Sequence, residues 1–266
     1  MQEENRRLID EALDFEPVKN TFRLAREFIV LNKNFTFMAM GIFIVLNLFG
    51  MIPVIAFIFT VLAAVFGIVI QMQVGRTFYG TDNIETYVDE INNSRVDEVV
   101  KRYAQTAFGV YLGWALLIIL ILFILGFIAA TTGVVKENMS ENDVIMAFAG
   151  FGLPLILVAL IFSYVQPLVH SNIVLSNSFR EGLKAVFTVF SKDVWLSALQ
   201  KSYFSYIAKV GLLTMALIFL AGLIVALLST IPVIGGFAMI FIFVMLYFLM
   251  VLMSITSMMA RRIVEE

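Results

Sequence analysis

The sequence has no cysteine and only one histidine among its 266 residues, and both scarcities exclude whole classes of site. Without cysteine the chain can form neither a disulfide nor a thiolate-held metal site, and one histidine cannot form a histidine cluster. Charged residues are also scarce at 14%, whereas hydrophobic residues make up 61%. This composition lies outside the range of soluble domains and is typical of a chain that crosses a lipid bilayer.

Motifs that announce common enzyme classes are missing as well. The sequence contains no Walker loop, no His-Glu-x-x-His motif and no pair of carboxylates within an apolar run. Such motifs hold nucleotide phosphates, zinc or a catalytic water, and an ionisable residue inside a membrane span is a usual sign of function. We therefore expect no enzymatic activity, no cofactor, no metal and no nucleic-acid partner.

Four uncharged runs account for most of the chain, and they are Asn34–Gly75, Tyr103–Val135, Val144–Phe179 and Val210–Ala260. One helical span needs about 20 apolar residues, so the first and fourth runs can each hold two spans. We predict an all-α polytopic membrane protein with six transmembrane helices in three hairpins. The predicted spans are residues 35–50, 54–74, 106–132, 144–169, 210–229 and 237–258, within a membrane domain of residues 34–260. Residues 1–33 form an N-terminal segment and residues 261–266 a tail.

The first and the fourth of these runs are each interrupted by an apolar turn. Gly50 is expected to end one helix and Pro53 to lie in the first turn of the next, where its missing N–H has no helical partner to lose. The second turn carries Pro232, Gly235 and Gly236. A turn that barely clears the hydrocarbon can stay apolar. The alternative for the first turn is a re-entrant hairpin whose tip is buried among other helices.

The distribution of lysine and arginine predicts the orientation. Seventeen of the 18 cations face one side if both termini are cytoplasmic, and only Lys136 faces the other. Cytoplasmic loops carry an excess of Lys and Arg, so we predict a multi-pass protein of the bacterial cytoplasmic membrane with both termini inside. No cleavable signal peptide is visible ahead of the first run.

Each hairpin is preceded by a charged segment with helical periodicity, called here a leader. In the first leader, a helix is expected to begin at Pro17. In the second, Asp82 with Glu85 and Ser94 with Asp97 have the spacing of capping boxes, which open helices. We expect all three leaders to be amphipathic helices at the cytoplasmic surface.

The third leader is expected to begin near Arg180 and to continue through a second helix that carries Trp195 and Tyr203 into the fifth span. Its apolar stripe is Leu183, Val186, Phe187 and Phe190. Its cations, which are candidates for contact with lipid headgroups, are Arg180, Lys184, Lys192, Lys201 and Lys209. The alternative is that the stripe packs on the protein's own helices.

The stretch "SFREGLKAVFTVFSKDVW", Ser178 to Trp195, leads to a hairpin with an "IPVIGG" turn. This pattern resembles a broad group of bacterial multi-pass membrane proteins similar to the membrane domain attached to some glycerophosphodiester phosphodiesterases. In those enzymes the chemistry belongs to a separate soluble barrel domain. The resemblance therefore implies a helical membrane fold for this chain and supplies no catalytic residue.

The richest polar cluster of the apolar runs lies in the predicted fourth span. Ser163, Gln166 and His170 share one helical face, which would suit a small polar cavity. The alternative is that the helix surfaces here and that headgroups or backbone satisfy these side chains. In the third span Gly109 and Gly113 form a Gly-x-x-x-Gly motif, for which we expect packing within the chain, with a homodimer as the alternative.

The leading functional hypothesis is a membrane scaffold or accessory protein that contacts anionic lipids or another membrane protein through its basic leaders. The alternative is a transporter or channel for a small neutral or amphiphilic solute that passes the face of Gln166 and His170. The sequence predicts no substrate and no oligomeric state.

Overall fold

The computed structural model describes residues 7–131, 140, 152–231 and 235–266, and these ranges contain helices and no strand. The helices are α1 Leu8–Asp14, α2 Pro17–Leu31, α3 Lys33–Phe49, α4 Ala56–Gly80, α5 Ile84–Asn92, α6 Val96–Thr131, α7 Gly152–Val174, α8 Phe179–Phe187, α9 Lys192–Ala198, α10 Lys201–Ser229 and α11 Gly235–Glu265. A short 3₁₀ turn, Thr188–Phe190, connects α8 to α9.

Five of these helices, α4, α6, α7, α10 and α11, are long and apolar enough to cross a bilayer. The sixth candidate is α3, which has 17 residues and meets α2 at a bend of 92°. The chain is therefore an all-α multi-pass membrane protein with five or six spans among the described residues. The predicted fourth span begins in residues that lie outside the described ranges.

Helix α11 is the central element, because it packs against α2, α3, α4, α7 and α10. Midway along it, Ser254 Oγ donates a hydrogen bond to Gln71 O at 3.0 Å. Near its end, Arg262 Nε donates to Asp10 Oδ1 of α1 at 2.7 Å, while the N–H of Leu8 donates to Thr81 O after α4. These contacts bring α1 and the last turns of α11 together at one end of the bundle, called here the termini-bearing end.

The third leader returns to pack against the third span. A Cβ built on Gly109 of α6 would collide with the carbonyl oxygen of Phe179, and one on Gly182 of α8 would come within 2.5 Å of Thr106 O. Gly113, one turn further along α6, would come within 3.0 Å of a backbone oxygen of α8. Only glycine allows two helices to approach this closely. The Gly-x-x-x-Gly motif therefore serves packing within the chain.

The first apolar turn differs in detail from the prediction. Gly50 follows the last residue of α3 with a right-handed φ of −61°, and a Cβ there would meet Thr60 Oγ1 at 3.3 Å. The prediction that Pro53 occupies the first helical turn is wrong, because α4 begins at Ala56. Short-range bonds, such as Ile55 N–H to Ile52 O at 3.1 Å, satisfy the backbone between the two helices.

In the second apolar turn, α10 ends at Ser229 and α11 begins at Gly235. Gly236 is the second residue of α11, so both glycines open this helix. Pro232 lies outside the described residues.

Helix starts in the second leader differ from those predicted. Asn83, and not Asp82, caps α5, because its Oδ1 accepts a hydrogen bond from Thr86 N–H at 2.8 Å. Ser94 is not a cap either, since its hydroxyl donates back to Glu90 O at 2.7 Å. Neither predicted capping box therefore forms. At α5 the neighbouring Asn83 supplies the capping oxygen, and Ser94 bonds to the backbone of the preceding helix.

In the third leader Ser178 caps α8 by accepting from Glu181 N–H at 3.2 Å. The expectation of one continuous helix from Trp195 into the fifth span is wrong. Helix α9 ends at Ala198, and α10 begins at Lys201 after an extended Gln200. The indole of Trp195 bonds back to Val189 O at 2.8 Å, which ties α9 to the preceding 3₁₀ turn.

Candidate functional site

The three residues of the predicted polar face of α7 differ in their exposure. Ser163 is exposed and Gln166 is half-buried, whereas His170 is 5% exposed and its Nε2 has no hydrogen-bond partner among the described residues. The burial of His170 contradicts the alternative in which α7 surfaces here and headgroups satisfy this side chain. The reason is that α7 continues to Val174 and packs on α4, α8 and α11 around this position.

A polar cavity of about 350 Å³ lies instead beside Ser171 and Asn172 of α7. It lies between α7, the 3₁₀ turn, α9 and the last turns of α11. Asn172 accepts from Arg261 at 3.1 Å and donates to Thr188 Oγ1 at 3.2 Å. Arg261 also bonds Glu265 at 2.7 Å, so the guanidinium in this cavity is already neutralised.

A second polar cavity, of about 410 Å³, lies between α4, α5 and α6 and is called here the arginine cavity. The residues that line it include Gln73, Arg76, Glu90, Ser94, Arg102 and Tyr103. The guanidinium carbons of Arg76 and Arg102 lie 5.0 and 5.9 Å from the centroid of the Tyr103 ring. Two cations near one aromatic ring form an electropositive wall.

Arg76 also holds the end of α7 in place. Its Nε donates to Val174 O at 2.6 Å and its Nη1 to Asn177 Oδ1 at 3.0 Å, while its Nη2 donates to Ser176 O. This side chain therefore satisfies carbonyls that the end of a helix leaves without partners. The sequence analysis assigns no role to Arg76. The usable signal was its place at the border of the first uncharged run.

A third cavity, of about 460 Å³, is mostly apolar and lies between α3, α4 and α11. Asn47, Thr60 and Gln71 supply its polar groups. Thr60 and Ala64 are exposed on α4, so the cavity opens sideways from a membrane span.

The five predicted headgroup-binding cations of the third leader are all exposed, and among the described residues none forms an ion pair; they are Arg180, Lys184, Lys192, Lys201 and Lys209. Large apolar side chains are exposed beside them, namely Phe190, Leu196, Leu199 and Phe204, with exposed fractions of 58%, 54%, 76% and 59%. The predicted stripe behaves differently. Val186 is fully buried against Gly113, Leu183 and Phe187 are half-buried, and only Phe190 is exposed.

No group of three or more His, Asp or Glu side chains in the described ranges is placed to hold a metal ion. Comparison with models of protein families, with curated proteins and with solved structures gave no match to this chain.

Proposed function

We propose that this membrane protein is a scaffold or accessory protein of the bacterial cytoplasmic membrane, whose third leader rests on the anionic headgroups of the inner leaflet. Both termini face the cytoplasm in this proposal. Its basis is the seventeen-to-one distribution of cations and the resemblance of Ser178–Trp195 to membrane domains whose partner domain carries the chemistry.

The observation that carries the proposal is that residues 180–209 combine four exposed apolar side chains with five cations that form no ion pair among the described residues. Contact with water is unfavourable in free energy for exposed apolar side chains, here those of Phe190, Leu196, Leu199 and Phe204. The interface of a membrane accepts such side chains, and each nearby Lys or Arg adds about 1 kcal/mol of attraction to anionic lipid, weakened by salt.

Several other cations at the termini-bearing end differ from these five because carboxylates neutralise them. Lys19 pairs with Glu16 at 2.6 Å, and Arg95 pairs with Asp97 at 3.1 Å. Opposite charges in contact leave little net field for a lipid surface. In the third leader, by contrast, cations without an ion pair among the described residues occur together with exposed apolar side chains, which favours lipid contact by this segment.

The experiment measures the depth of the third leader in membranes of defined charge. A spin label on Leu199→Cys, in this cysteine-free chain, reports its depth by its accessibility to oxygen and to a water-soluble nickel complex. We expect the label to lie deeper in nanodiscs that contain phosphatidylglycerol than in phosphatidylcholine alone, and to become shallower at high salt. Equal depth in both membranes at all salt concentrations would contradict the proposal.

A matched pair of charge variants sharpens this test. Changing Arg180, Lys184, Lys192 and Lys201 together to Gln should remove the dependence on anionic lipid. Changing four paired cations together to Gln should leave it intact; these are Lys19, Arg23, Arg95 and Lys101, whose carboxylate partners lie within 4 Å. Equal loss in both variants would show that only total charge matters.

The alternative function, transport of a small amphiphilic solute, is favoured by the apolar cavity between α3, α4 and α11, which opens beside the exposed Ala64. A mostly apolar cavity with a few polar groups is typical of a ligand site. Ala64→Trp should fill it. If a fluorescent amphiphile crosses proteoliposomes of the unaltered protein and is blocked by this substitution, the alternative replaces the scaffold proposal.

A further inference from the structure

The arginine cavity contains a buried acceptor that lacks a donor. Gln73 is 3% exposed, and its Nε2 donates to Ser94 Oγ at 3.1 Å and to Thr77 Oγ1 at 3.3 Å. Ser94 has already given its only proton to Glu90 O, so it can only accept from Gln73. This fixes the orientation of the amide and leaves Oε1 of Gln73 without a partner among the described residues.

Charges of both signs line the same cavity. Arg102 and Glu90 are exposed, and within the described ranges neither forms an ion pair. Within the part of the chain that the structure describes, Arg102 contacts the Tyr103 ring. The residues that line the cavity therefore include a guanidinium, a carboxylate and an orphan amide oxygen. A ligand that carries an anion and an N–H cation would satisfy all of them.

The depth of the cavity in the membrane follows from the sequence. Arg76 is the first charge after the uncharged run Asn34–Gly75, and Arg102 is the last charge before the run Tyr103–Val135. Neighbouring helices α4 and α6 thus each change from apolar to charged at this level. Headgroups lie where spans end, so the arginine cavity is placed at headgroup depth.

We propose that the arginine cavity binds a phosphoethanolamine group. Arg102 binds the phosphate, in the positive field of Arg76. Glu90 and Oε1 of Gln73 accept hydrogen bonds from the ammonium. Guanidinium groups suit phosphate oxygens through charge-assisted hydrogen bonds. A volume of about 410 Å³ is within the range of ligand sites.

This ligand chemistry has two sources, a phosphatidylethanolamine headgroup and free phosphoethanolamine, and the experiment separates them. Dissociation constants are measured by native mass spectrometry on the full chain released from detergent micelles. The probes are dihexanoyl phosphatidylethanolamine, its phosphatidylglycerol and phosphatidylcholine counterparts, and free phosphoethanolamine. We expect one phosphatidylethanolamine to bind more tightly than the other two lipids, since glycerol carries no positive charge and choline has no N–H. Tighter binding of the lipid than of free phosphoethanolamine identifies a headgroup site, and the reverse order identifies a soluble ligand.

Three substitutions test the assigned residues. Arg102→Gln should weaken the binding of phosphatidylethanolamine about tenfold, because one charge-assisted contact is lost. Glu90→Gln should weaken it for phosphatidylethanolamine and leave the weak binding of phosphatidylglycerol unchanged. Lys101→Gln, which removes an exposed neighbouring cation that does not line the cavity, should change neither.

All three altered side chains are exposed, so loss of fold is not expected, and thermal melting of each variant checks this. The proposal is overturned if the three lipids bind alike, or if Arg102→Gln has no more effect than Lys101→Gln. Its failure would leave the lipid contact of the third leader untouched, because that contact depends on other residues and on membrane charge.

Discussion

Helices α4 and α10 are both strongly apolar, yet other helices bury far more of α4 than of α10. The most apolar 18-residue stretch of each helix has a mean hydropathy of 2.2 in α4 and 2.7 in α10. Of this stretch, 44% is buried in α4 and only 6% in α10. Helix α6, at 11%, resembles α10, and α11, at 39%, resembles α4. Hydropathy therefore indicates which helices can cross the membrane, and it does not indicate which ones form the packed core.

Glycines mark the difference between the two groups of helices. A Cβ on Gly75 of α4 would come within 2.8 Å of Val174, and one on Gly109 would collide with the backbone of α8. By contrast, none of the described residues lies within 4 Å of a Cβ on Gly126, Gly211 or Gly222. The close contacts lie toward the termini-bearing end of α4 and α6. The outer part of α6 and much of α10 are left to face lipid.

The largest effect should come from filling the closest contact. Gly109→Ala places a methyl group against the Phe179 carbonyl, so we expect the free energy of unfolding to fall by about 3 kcal/mol. Thermal melting in detergent measures this change. Gly126→Ala, on the same helix, is the matched control and should be neutral or slightly stabilising, because its Cβ enters open space. Equal losses in both variants would mean that the contact between α6 and α8 is not the packed one.

A smaller loss is expected when the end of α7 is released. Arg76→Gln removes hydrogen bonds to Val174, Ser176 and Asn177, and we expect destabilisation of about 2 kcal/mol. Hydrogen exchange should increase in residues 174–178 and remain unchanged in α10. If exchange rose equally in both places, Arg76 would be a general stabiliser of the bundle with no special relation to α7.

Burial of His170 changes what is expected of its replacement. Because the side chain is almost inaccessible to solvent, His170→Gln should lower the free energy of unfolding by about 1 kcal/mol. Gln166→Ala, at a half-buried position one turn earlier, is the comparison and should cost less. Equal melting temperatures for His170→Gln and the unaltered protein would contradict this prediction and show that the histidine is dispensable for folding.

The smallest effect should come from the lipid-facing surface. Phe219 of α10 is 68% exposed, so Phe219→Leu exchanges one apolar surface for another and should change stability by less than about 0.5 kcal/mol. Phe28→Leu in the buried core is the contrasting variant, and it should cost several times more because it leaves a cavity. Similar losses at the two positions would show that α10 packs against a partner that covers Phe219.

The sequence predicted the helical membrane fold, the start of α2 at Pro17 and the internal use of Gly109 and Gly113, because periodicity and small residues are local signals. It could not predict that Asn83 would take the cap from Asp82, since several side chains compete for the same N–H groups. The burial of His170 and the cavity around Gln73 were also inaccessible, because both depend on contacts between segments far apart in the chain.

The lipid contact of the third leader requires that the termini-bearing end faces the cytoplasm. Two single-cysteine variants test this orientation in intact cells with a membrane-impermeant thiol reagent: one at Asn93, which is exposed after α5, and one at Asn138, which lies between the predicted third and fourth spans. We expect labelling of Asn138→Cys and none of Asn93→Cys until the cells are opened. Labelling of Asn93→Cys in intact cells would contradict it.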